Sequence, residues 1–496
     1  MTNGGVWVAL PLVCLTGGAF ALYLVARLFR ASNTLLSTLA TVVFGAALVL
    51  LLPLFARSRA AALHGTALPV LASITPAGAF LRADPGALVL VAIALGIGGS
   101  TALYSGRYIA IDPRYATYYP LLLLMVAGMM GMVMTTDLFN FYMFCELMSI
   151  AAYVLVAFRR HTDTAIEAGF KYLIMGSVGT IIMLMGIAFI YRETGQLTLP
   201  LSGAELGPWQ RAGSACFVVG LGLKSAIVPL HTWLPDAYGR APSSISAVLA
   251  SVISKSTLYM LPRIYLGLGM PAHDLGLMLI WLAFLNMTLG NALALMQTNT
   301  KRLLAYSSIA QTGYIMFSLG IGLRYDVPDA IQAAFFLLLT HAVMKATAFL
   351  SKGVCHFYLG TTTVEELRGT AVQLPLVAVT FSLALGGLAG VPPLAGFVSK
   401  WFILAQALHP AEPLAYVGLI IFLLNSLLAL GYYLPLIARL FTAPQSGDGR
   451  PPARVAVSPW MAAPLIVTAA LIIAIGVSPG LWLTGVNWMA VFWQDM

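Results

Sequence analysis

Five lysines stand inside long apolar stretches of this 496-residue chain: Lys171, Lys224, Lys255, Lys345 and Lys400. An ionised side chain at the centre of a bilayer costs about 2.5–3.5 kcal/mol on insertion scales, so such residues face a protein interior and usually serve a function. No arginine lies in the middle of an apolar stretch. Because a buried lysine can give up its proton whereas arginine stays charged, the choice of lysine predicts proton loading and release.

One carboxylate stands among these cations. Glu146 lies in the middle of "DLFNFYMFCELMSIAAYVLVAF" (137–158), whereas Asp137 lies at its start. We expect Lys224 or Lys171 to be the partner of Glu146, because an unpaired buried charge is costly. Pairing would keep the lysine protonated and separation would favour release of the proton, so the pair predicts a switch.

Histidines accompany two of the lysines. In "HAVMKATAF" (341–349), His341 and Lys345 are four residues apart and therefore share one face of a helix. An imidazole titrates near neutral pH, so these two groups are candidates for passing protons to each other. His231 and Lys171 are predicted as secondary members of the same site.

Prolines interrupt two apolar stretches next to these lysines. Pro229 and Pro235 follow Lys224 in "GLKSAIVPLHTWLPDAYGR" (222–240), a stretch that also holds His231. Pro392 and Pro393 precede Lys400 in "GVPPLAGFVSK" (390–400). Proline breaks a helix, and unwound backbone at membrane depth is tolerated where it lines a cavity. Both interruptions are therefore expected to be helix breaks along an ion pathway.

The elements that carry these residues are transmembrane helices. The chain is 60% hydrophobic and only 9% charged, whereas soluble domains are roughly a quarter charged. Apolar runs near twenty residues recur throughout, long enough to cross a bilayer as helices. We predict an all-α polytopic membrane protein and one membrane domain, 1–496, without a soluble domain or cleaved signal peptide. Its fourteen spans are 6–26, 34–55, 86–105, 118–136, 138–158, 170–191, 212–234, 244–268, 275–297, 303–323, 330–351, 374–409, 414–440 and 458–483.

The basic residues predict the orientation. Of the 26 lysines and arginines, 14 follow odd-numbered spans and 7 follow even-numbered spans. Loops enriched in Lys and Arg stay in the cytoplasm, so both termini are expected on the outer face of a bacterial or archaeal cytoplasmic membrane. The net charge of +9 thus reflects topology, and nucleic acid is not an expected partner. In the cytoplasmic loop "TTTVEELRG" (361–369), Thr362 with Glu365 and Thr363 with Glu366 have capping-box spacing, which predicts a short helix.

An internal duplication is also predicted. The two proline-broken spans, the seventh and the twelfth, lie five spans apart. Five-helix repeats would then cover helices 4–8 (118–268) and helices 9–13 (275–440), with 1–105 and 458–483 as peripheral helices. Because five is odd, the second repeat crosses the membrane in the opposite sense. Inverted repeats with broken helices at corresponding positions are typical of transporter folds, where the ion path lies between them.

The sequence offers no site for redox chemistry. Cys14, Cys145, Cys216 and Cys355 are isolated, so neither an iron–sulfur cluster nor a zinc site is expected. "GLGLKS" (220–225) lacks the glycine that precedes the lysine of a phosphate loop, and no dinucleotide fingerprint occurs. We therefore expect no metal and no cofactor in this chain.

Six stretches together resemble one known family. They are "DLFNFYMFCELMSIAAYVLVAF", "KYLIMGSVG", "GLKSAIVPLHTWLPDAYGRAPSSISAVLASVISKSTLYML", "NTKRLLAYSSIAQTGYI", "HAVMKATAFLSKG" and "GVPPLAGFVSKW", spread over residues 100 to 440. The chain resembles the antiporter-like membrane subunits shared by respiratory complex I (the M- and N-type subunits of NADH-quinone oxidoreductase), Mrp sodium/proton antiporters (the D subunit) and membrane-bound hydrogenases.

The resemblance implies roles for the candidate residues. Glu146 and Lys224 match the family's glutamate–lysine pair, Lys255 its central lysine, His341 and Lys345 the connecting region, and Lys400 the terminal residue of the second broken helix. Some relatives have a second histidine where this chain has Leu337, so the central relay is expected to depend more on water. In other relatives a glutamate replaces the lysine found here at position 400.

The expected function is proton translocation as a subunit of a multisubunit energy-converting complex, of the complex I or hydrogenase type. Its partners would be antiporter-like paralogues, small hydrophobic subunits and lipid, and it would carry protons, with sodium left open. The redox reaction would belong to an oxidoreductase of which this chain is one subunit without a redox site. The alternatives are an Mrp D-type subunit without a redox step and a scaffold that has lost transport. The residues above do not distinguish a subunit of a redox-driven complex from an Mrp D-type subunit.

Overall fold

The computed structural model describes residues 4–29, 31–64, 70–71, 81–160, 162–201, 206–443 and 453–483. Over these residues the chain is a bundle of helices, as the apolar runs predict. Its only strands there are the two-residue β1 (Val70–Leu71) and β2 (Leu81–Arg82), which pair in antiparallel fashion. Because the backbone polar groups of a helix are satisfied within the helix, this architecture suits a protein in lipid.

The helices follow the predicted spans closely. In the first half they are α1 (Gly4–Phe29), α2 (Asn33–His64), α3 (Pro85–Tyr108), α4 (Tyr115–Met134), α5 (Leu138–Val156), α6 (Asp163–Thr194), α7 (Pro208–Lys224), α8 (Trp233–Arg240), α9 (Ser243–Val248) and α10 (Ser254–Gly267). A π-helical turn, Leu249–Ile253, joins α9 to α10 without a break. In the second half they are α11 (Ala272–Leu295), α12 (Thr300–Tyr325), α13 (Pro328–Leu359), α14 (Thr370–Gln373), α15 (Pro375–Ala389), α16 (Ala395–Ala407), α17 (Pro413–Phe441) and α18 (Pro459–Val477).

Eleven helices of the described chain are long and apolar enough to cross a membrane. The other three predicted spans coincide with α12 and with the two proline-interrupted helices, α7–α8 and α15–α16. The chain is therefore an all-α polytopic membrane protein. Large apolar side chains are exposed along its outer helices, for example Phe20 on α1, Ile181 on α6 and Leu427 on α17. Such surfaces are unusual for a soluble monomer and suit contact with lipid.

Both predicted helix breaks are present. The first interruption covers residues 225–232 and contains Pro229, whereas Pro235 lies in the first turn of α8. A proline at this position costs no intrahelical hydrogen bond, because the first N–H groups of a helix have no intrahelical partner. The second interruption covers residues 390–394 and contains Pro392 and Pro393. The short α7 and α15 end at the buried residues Lys224 and Ala389, whereas Pro229, Pro392 and Pro393 in the breaks are exposed.

The centre of the bundle is α13, which is buried along most of its length and packs against α3, α9, α12, α15, α16 and α18. Small residues allow close packing beside it. On α11 and α12, a Cβ atom at Gly290 or Gly313 would lie within 3 Å of the neighbouring helix. Membrane helices approach closely through such residues because packing, rather than hydrophobicity, holds them together in lipid.

One of the two predicted capping boxes forms. The Thr363 N–H donates to Glu366 Oε2 at 3.0 Å, and the Glu366 N–H donates to Thr363 Oγ1 at 3.4 Å. Glu365 instead pairs with Arg368 at 2.6 Å and with Arg439 at 3.3 Å. The turn that follows is a single 3₁₀ turn, Glu365–Leu367. The predicted helix in this loop is therefore limited to one turn.

Candidate functional site

The first broken helix ends at its lysine. Lys224 is the last residue of α7 and is 7% exposed. Its ammonium donates a hydrogen bond to the Ser149 hydroxyl and a longer one, 3.4 Å, to the Tyr153 hydroxyl, both on α5. The cation is thus held by two neutral hydroxyl groups of α5.

Glu146 lies one turn before Ser149 on α5 and within electrostatic range of Lys224. The two do not form a direct ion pair, and no described side chain hydrogen-bonds to the buried Oε1 atom of Glu146. Lys171 is not the partner either, since its ammonium lies 2.6 Å from Glu167 and 3.1 Å from Asp236 near the end of its helix. The structure therefore brings Glu146 and Lys224 into one region, but the hydrogen-bond partners of Lys224 are the hydroxyl groups of Ser149 and Tyr153.

Side chains satisfy two backbone groups at the first break. The Val228 N–H donates to Asn286 Oδ1 on α11 at 2.8 Å, and the indole N–H of Trp233 donates to the Leu223 carbonyl at 2.9 Å. Unsatisfied backbone groups in a membrane are costly, and these two bonds reduce that cost. His231 lies in the same break, half-buried, and its Nδ1 has no partner among the described residues.

Lys255 occupies the middle of the next span. It is the thirteenth of the 25 residues of Ser243–Gly267, follows the π-helical turn, and is 1% exposed. Its ammonium donates to Thr312 Oγ1 on α12 at 2.6 Å. A π turn widens the helix locally and is often found at functional sites. The Ser225 hydroxyl donates to Thr257 at 3.0 Å and so links the first break to this helix.

His341 and Lys345 lie one turn apart on α13, both fully buried. The Lys345 ammonium donates to the Leu304 carbonyl of α12 at 2.7 Å and to the Ser307 hydroxyl. Neither ring nitrogen of His341 has a hydrogen-bond partner among the described residues. Lys255 lies within electrostatic range of both groups. The predicted central cluster of Lys255, His341 and Lys345 is therefore brought together by α10, α12 and α13.

Lys400 lies on α16, beyond the second break, and its side chain turns back to the end of α15. Its ammonium donates to the Ala389 carbonyl at 3.1 Å and lies 5.1 Å from the centroid of the Tyr314 ring. Gly390 has φ +91°, and a Cβ atom there would come within 3.1 Å of the lysine stem. Glycine therefore suits this position on two grounds: its backbone conformation and the passage of Lys400.

Polar residues without an obvious motif complete the site. Ser149, Thr312 and Ser307 accept from the buried lysines, and the Gln311 amide donates to the Leu388 carbonyl of α15 at 3.1 Å. Sequence reasoning missed them because single polar residues in apolar spans give no spacing pattern. Their one available signal is polarity at mid-span, which predicts a buried partner.

A buried ion pair was missed as well. Asp84, the N-cap of α3, lies 2.9 Å from the guanidinium of Arg263 on α10 and accepts a hydrogen bond from Tyr259 at 3.1 Å. The Arg263 guanidinium also donates to the Val133 carbonyl at 2.7 Å. No group of three or more His, Cys, Asp or Glu residues that could hold a metal occurs in the described ranges. The ion pair is therefore a structural tie between α3, α4 and α10.

Known proteins match the chain in sequence and in fold. Residues 135–428 match the family described as NADH:quinone oxidoreductase/Mrp antiporter, transmembrane. NADH-quinone oxidoreductase subunit N of Desulforudis audaxviator is 34% identical over 384 residues, which cover 75% of each chain. F(420)H(2) dehydrogenase subunit N of Methanosarcina mazei is 31% identical over 407 residues, 79% of this chain and 80% of that one.

Among solved structures, one chain of the membrane-bound sulfane sulfur reductase, an archaeal respiratory membrane complex, superposes with a TM-score of 0.87. The two are 27% identical, and the match covers 98% of this chain and 97% of the other. The family match extends from the start of α5 to α17 and includes the buried lysines Lys224, Lys255, Lys345 and Lys400. This chain belongs to the NADH:quinone oxidoreductase/Mrp antiporter transmembrane family.

Proposed function

We propose that this chain translocates protons as an antiporter-like subunit of a multisubunit energy-converting membrane complex. One observation carries the proposal: a series of buried lysines, each held by neutral acceptors. Lys224, Lys255, Lys345 and Lys400 donate to hydroxyl or carbonyl oxygens. None of the four is ion-paired to a carboxylate in the described part of the chain.

Neutral acceptors suit a lysine that changes its protonation state. A carboxylate partner would keep the lysine in its ammonium form, because loss of the lysine's proton would leave the buried carboxylate charge unpaired. A hydroxyl group, in contrast, both accepts and donates hydrogen bonds. Ser149, Thr312 and Ser307 can therefore solvate an ammonium before proton release and an amine after it. A purely structural cation would be better served by arginine, which pairs in bidentate fashion and stays charged.

The order of the groups gives a path. Protons enter near Lys224, pass Lys255 and the His341–Lys345 pair, and leave through Lys400. Movement of Glu146 towards Lys224 gates the first step, since Glu146 has an unpartnered buried oxygen and lies one helical turn from Ser149, a hydroxyl acceptor of the lysine. Lys171 and His231 lie beside this first step. The break near Lys224 contains Pro229 and is followed by Pro235 in the first turn of α8, and the break before Lys400 contains Pro392 and Pro393.

The proposed arrangement in the membrane follows the charge distribution. Both termini lie on the outer face of a bacterial or archaeal cytoplasmic membrane, and protons enter from the cytoplasm. Residues 118–268 and 275–440 form inverted repeats around the path, flanked by 1–105 and 458–483. The partners are other membrane subunits, as the names of the related subunits suggest, and the redox reaction takes place in those partners.

Alanine variants test the relay. In the intact complex reconstituted into vesicles, Lys255→Ala and Lys400→Ala should abolish proton uptake driven by the native electron donor while leaving assembly unchanged. Lys352→Ala is a burial-matched control, since Lys352 and Lys255 are each 1% exposed, but Lys352 donates to the Thr361 carbonyl outside the series. It should retain uptake.

Two outcomes would overturn parts of the proposal. Normal proton uptake in both the Lys255 and the Lys400 variants would refute the relay. Co-purification with small hydrophobic subunits alone, without any iron–sulfur or flavin subunit, would place the chain in an Mrp-type antiporter and refute the redox-driven assembly.

A further inference from the structure

A second feature of the fold lies away from the lysine series. An apolar cavity of about 440 Å³ opens between α2, α3, α13 and α18. Its walls include Phe55 of α2, Ile93 and Gly96 of α3, Val343 of α13 and Ile475 of α18. All four helices are among those long and apolar enough to cross a membrane. The lining is almost entirely hydrocarbon, so water and ions are poor occupants.

The length of the cavity matches one leaflet of a bilayer. On α3 its lining runs from Val89 to Ser100. At 1.5 Å per residue this is roughly 16 Å, about half of a ~30 Å hydrocarbon core. Val89 lies one turn inside the N-terminal end of α3, so the cavity begins near one membrane surface and ends near the midplane. A single extended hydrocarbon chain has this shape.

Three polar side chains line the cavity, Ser100, Thr468 and Trp482, and the Thr468 hydroxyl donates to the Pro464 carbonyl of its own helix. Trp482, five residues beyond the end of α18, lines it, and the indole Nε1 is buried with no hydrogen-bond partner among the described residues. In the proposed fourteen-span arrangement, α3 begins and α18 ends on the same side of the membrane, so Trp482 lies at the surface end. Tryptophan is enriched at this depth because its ring is apolar and its N–H needs an acceptor. In a bacterial membrane, whose glycerophospholipids are ester-linked, an ester carbonyl is an acceptor at that depth.

We propose that this cavity binds one acyl chain of a membrane phospholipid, with the Trp482 indole N–H donating to the ester carbonyl of that lipid. The occupant is a lipid of the leaflet that faces the C-terminal end of α18. An isoprenoid quinone or a helix of a partner subunit would fill the same space, but neither is called for by a cavity of one leaflet's length with a single donor at its surface end.

The position of the cavity gives the lipid a role, and this part rests on the proposed function. Leu339 and Val343 line it from α13, whereas His341 and Lys345 project from the opposite face of the same helix, since two residues correspond to about 200° of rotation. The acyl chain thus supports α13 from behind the central cluster. Loss of the lipid should allow this helix to shift and should slow proton transfer.

A glycine in the wall allows the cavity to be filled without distortion. A Cβ atom at Gly96 would have no neighbour within 4 Å, so Gly96→Leu places its side chain in the open cavity. Gly45 on α2 is the matched control, because a Cβ atom there also meets no neighbour within 4 Å and Gly45 does not line the cavity. Trp482→Phe keeps an aromatic ring and removes the N–H donor.

The probe is a phospholipid with a brominated acyl chain, counted per complex by mass spectrometry after washing with detergent. Wild type and Gly45→Leu should retain one phospholipid more than Gly96→Leu. Trp482→Phe should release that lipid about 2- to 10-fold faster, the effect of one neutral hydrogen bond.

Equal retention in Gly96→Leu and wild type would overturn the site, and a quinone in place of the phospholipid would overturn the identity of the occupant. If the lipid is lost and proton uptake is unchanged, the support of α13 is refuted while the binding site stands. None of these outcomes depends on the fate of the Lys255 and Lys400 variants.

Discussion

Replacement of Lys255 by methionine should remove function with at most a small loss of stability. Lys255 lies at the centre of its span, where a charge costs about 2.5–3.5 kcal/mol. Its one hydrogen bond, to Thr312 at 2.6 Å, returns about 1.5–3 kcal/mol because the donor is charged. Methionine has a similar unbranched shape and no charge. The variant is therefore expected to lie between about 0.5 kcal/mol less stable and about 2 kcal/mol more stable, the difference between these two ranges.

Thr312 does not lose its last partner in this variant. Its hydroxyl also donates to the Ser308 carbonyl at 2.9 Å, so no buried donor is left orphaned. Unfolding midpoints in denaturant, measured on the purified complex, report stability, and acidification of the vesicle lumen reports transport. The matched variant Lys255→Arg keeps a charge that cannot be released, so it too should lose transport.

The transport measurement and the stability measurement each have an outcome that would refute this explanation. Wild-type proton transport in the methionine variant would show that Lys255 does not carry protons. A destabilisation of more than about 2 kcal/mol would show that its single hydrogen bond and its surroundings hold the charge far better than these magnitudes allow. The combination of higher stability and lost transport is specific to a residue retained for function.

Two further predictions concern groups outside the relay. Arg263→Met should lower the free energy of unfolding by about 3–5 kcal/mol, because it leaves the fully buried Asp84 carboxylate without its cation. The double variant that also carries Asp84→Asn should recover most of this loss. A double variant without recovery would contradict the ion-pair explanation. Backbone hydrogen bonds from Thr362 and Thr363 hold the pKa of Glu366 below its usual value of 4.5. The stabilisation of this loop should therefore be complete above pH 4.5 and be lost as the pH falls through the lower pKa of Glu366 in the folded state. Hydrogen exchange of residues 361–369 would detect the loss. The loop of Glu366→Gln should exchange at neutral pH as the wild-type loop does in acid, and pH-independent protection of the wild type would contradict this explanation.

The positions of the helices could be predicted because lipid imposes a simple rule. Apolar runs of sufficient length become helices, and proline interrupts them, so both breaks and all fourteen spans correspond to helices. Even α12, which is not among the eleven helices that are apolar enough to cross a membrane, begins three residues from its predicted start. The predicted inverted repeats remain a prediction.

The partners of the charges were less predictable. Lys301 and Lys352 lie just outside the predicted spans 303–323 and 330–351, yet Lys352 is 1% exposed and both donate to backbone carbonyls. Lys171, expected in the pathway, forms ion pairs with Glu167 and Asp236. Distance along a sequence gives helical faces but not the neighbours that a face meets. Contacts between helices far apart in the chain are set by packing of the whole bundle.

The sequence by itself determined where the helices lie and which side chains along them are titratable, because hydrophobic length and the chemistry of lysine are local properties. Only the tertiary structure decided what each lysine contacts. Lys224 precedes its helix break and donates to hydroxyl groups of α5, whereas Lys400 follows its own break and donates to the Ala389 carbonyl at the end of α15. The end of α15 carries partial negative charge, and only the fold brings the side chain of Lys400 back to it.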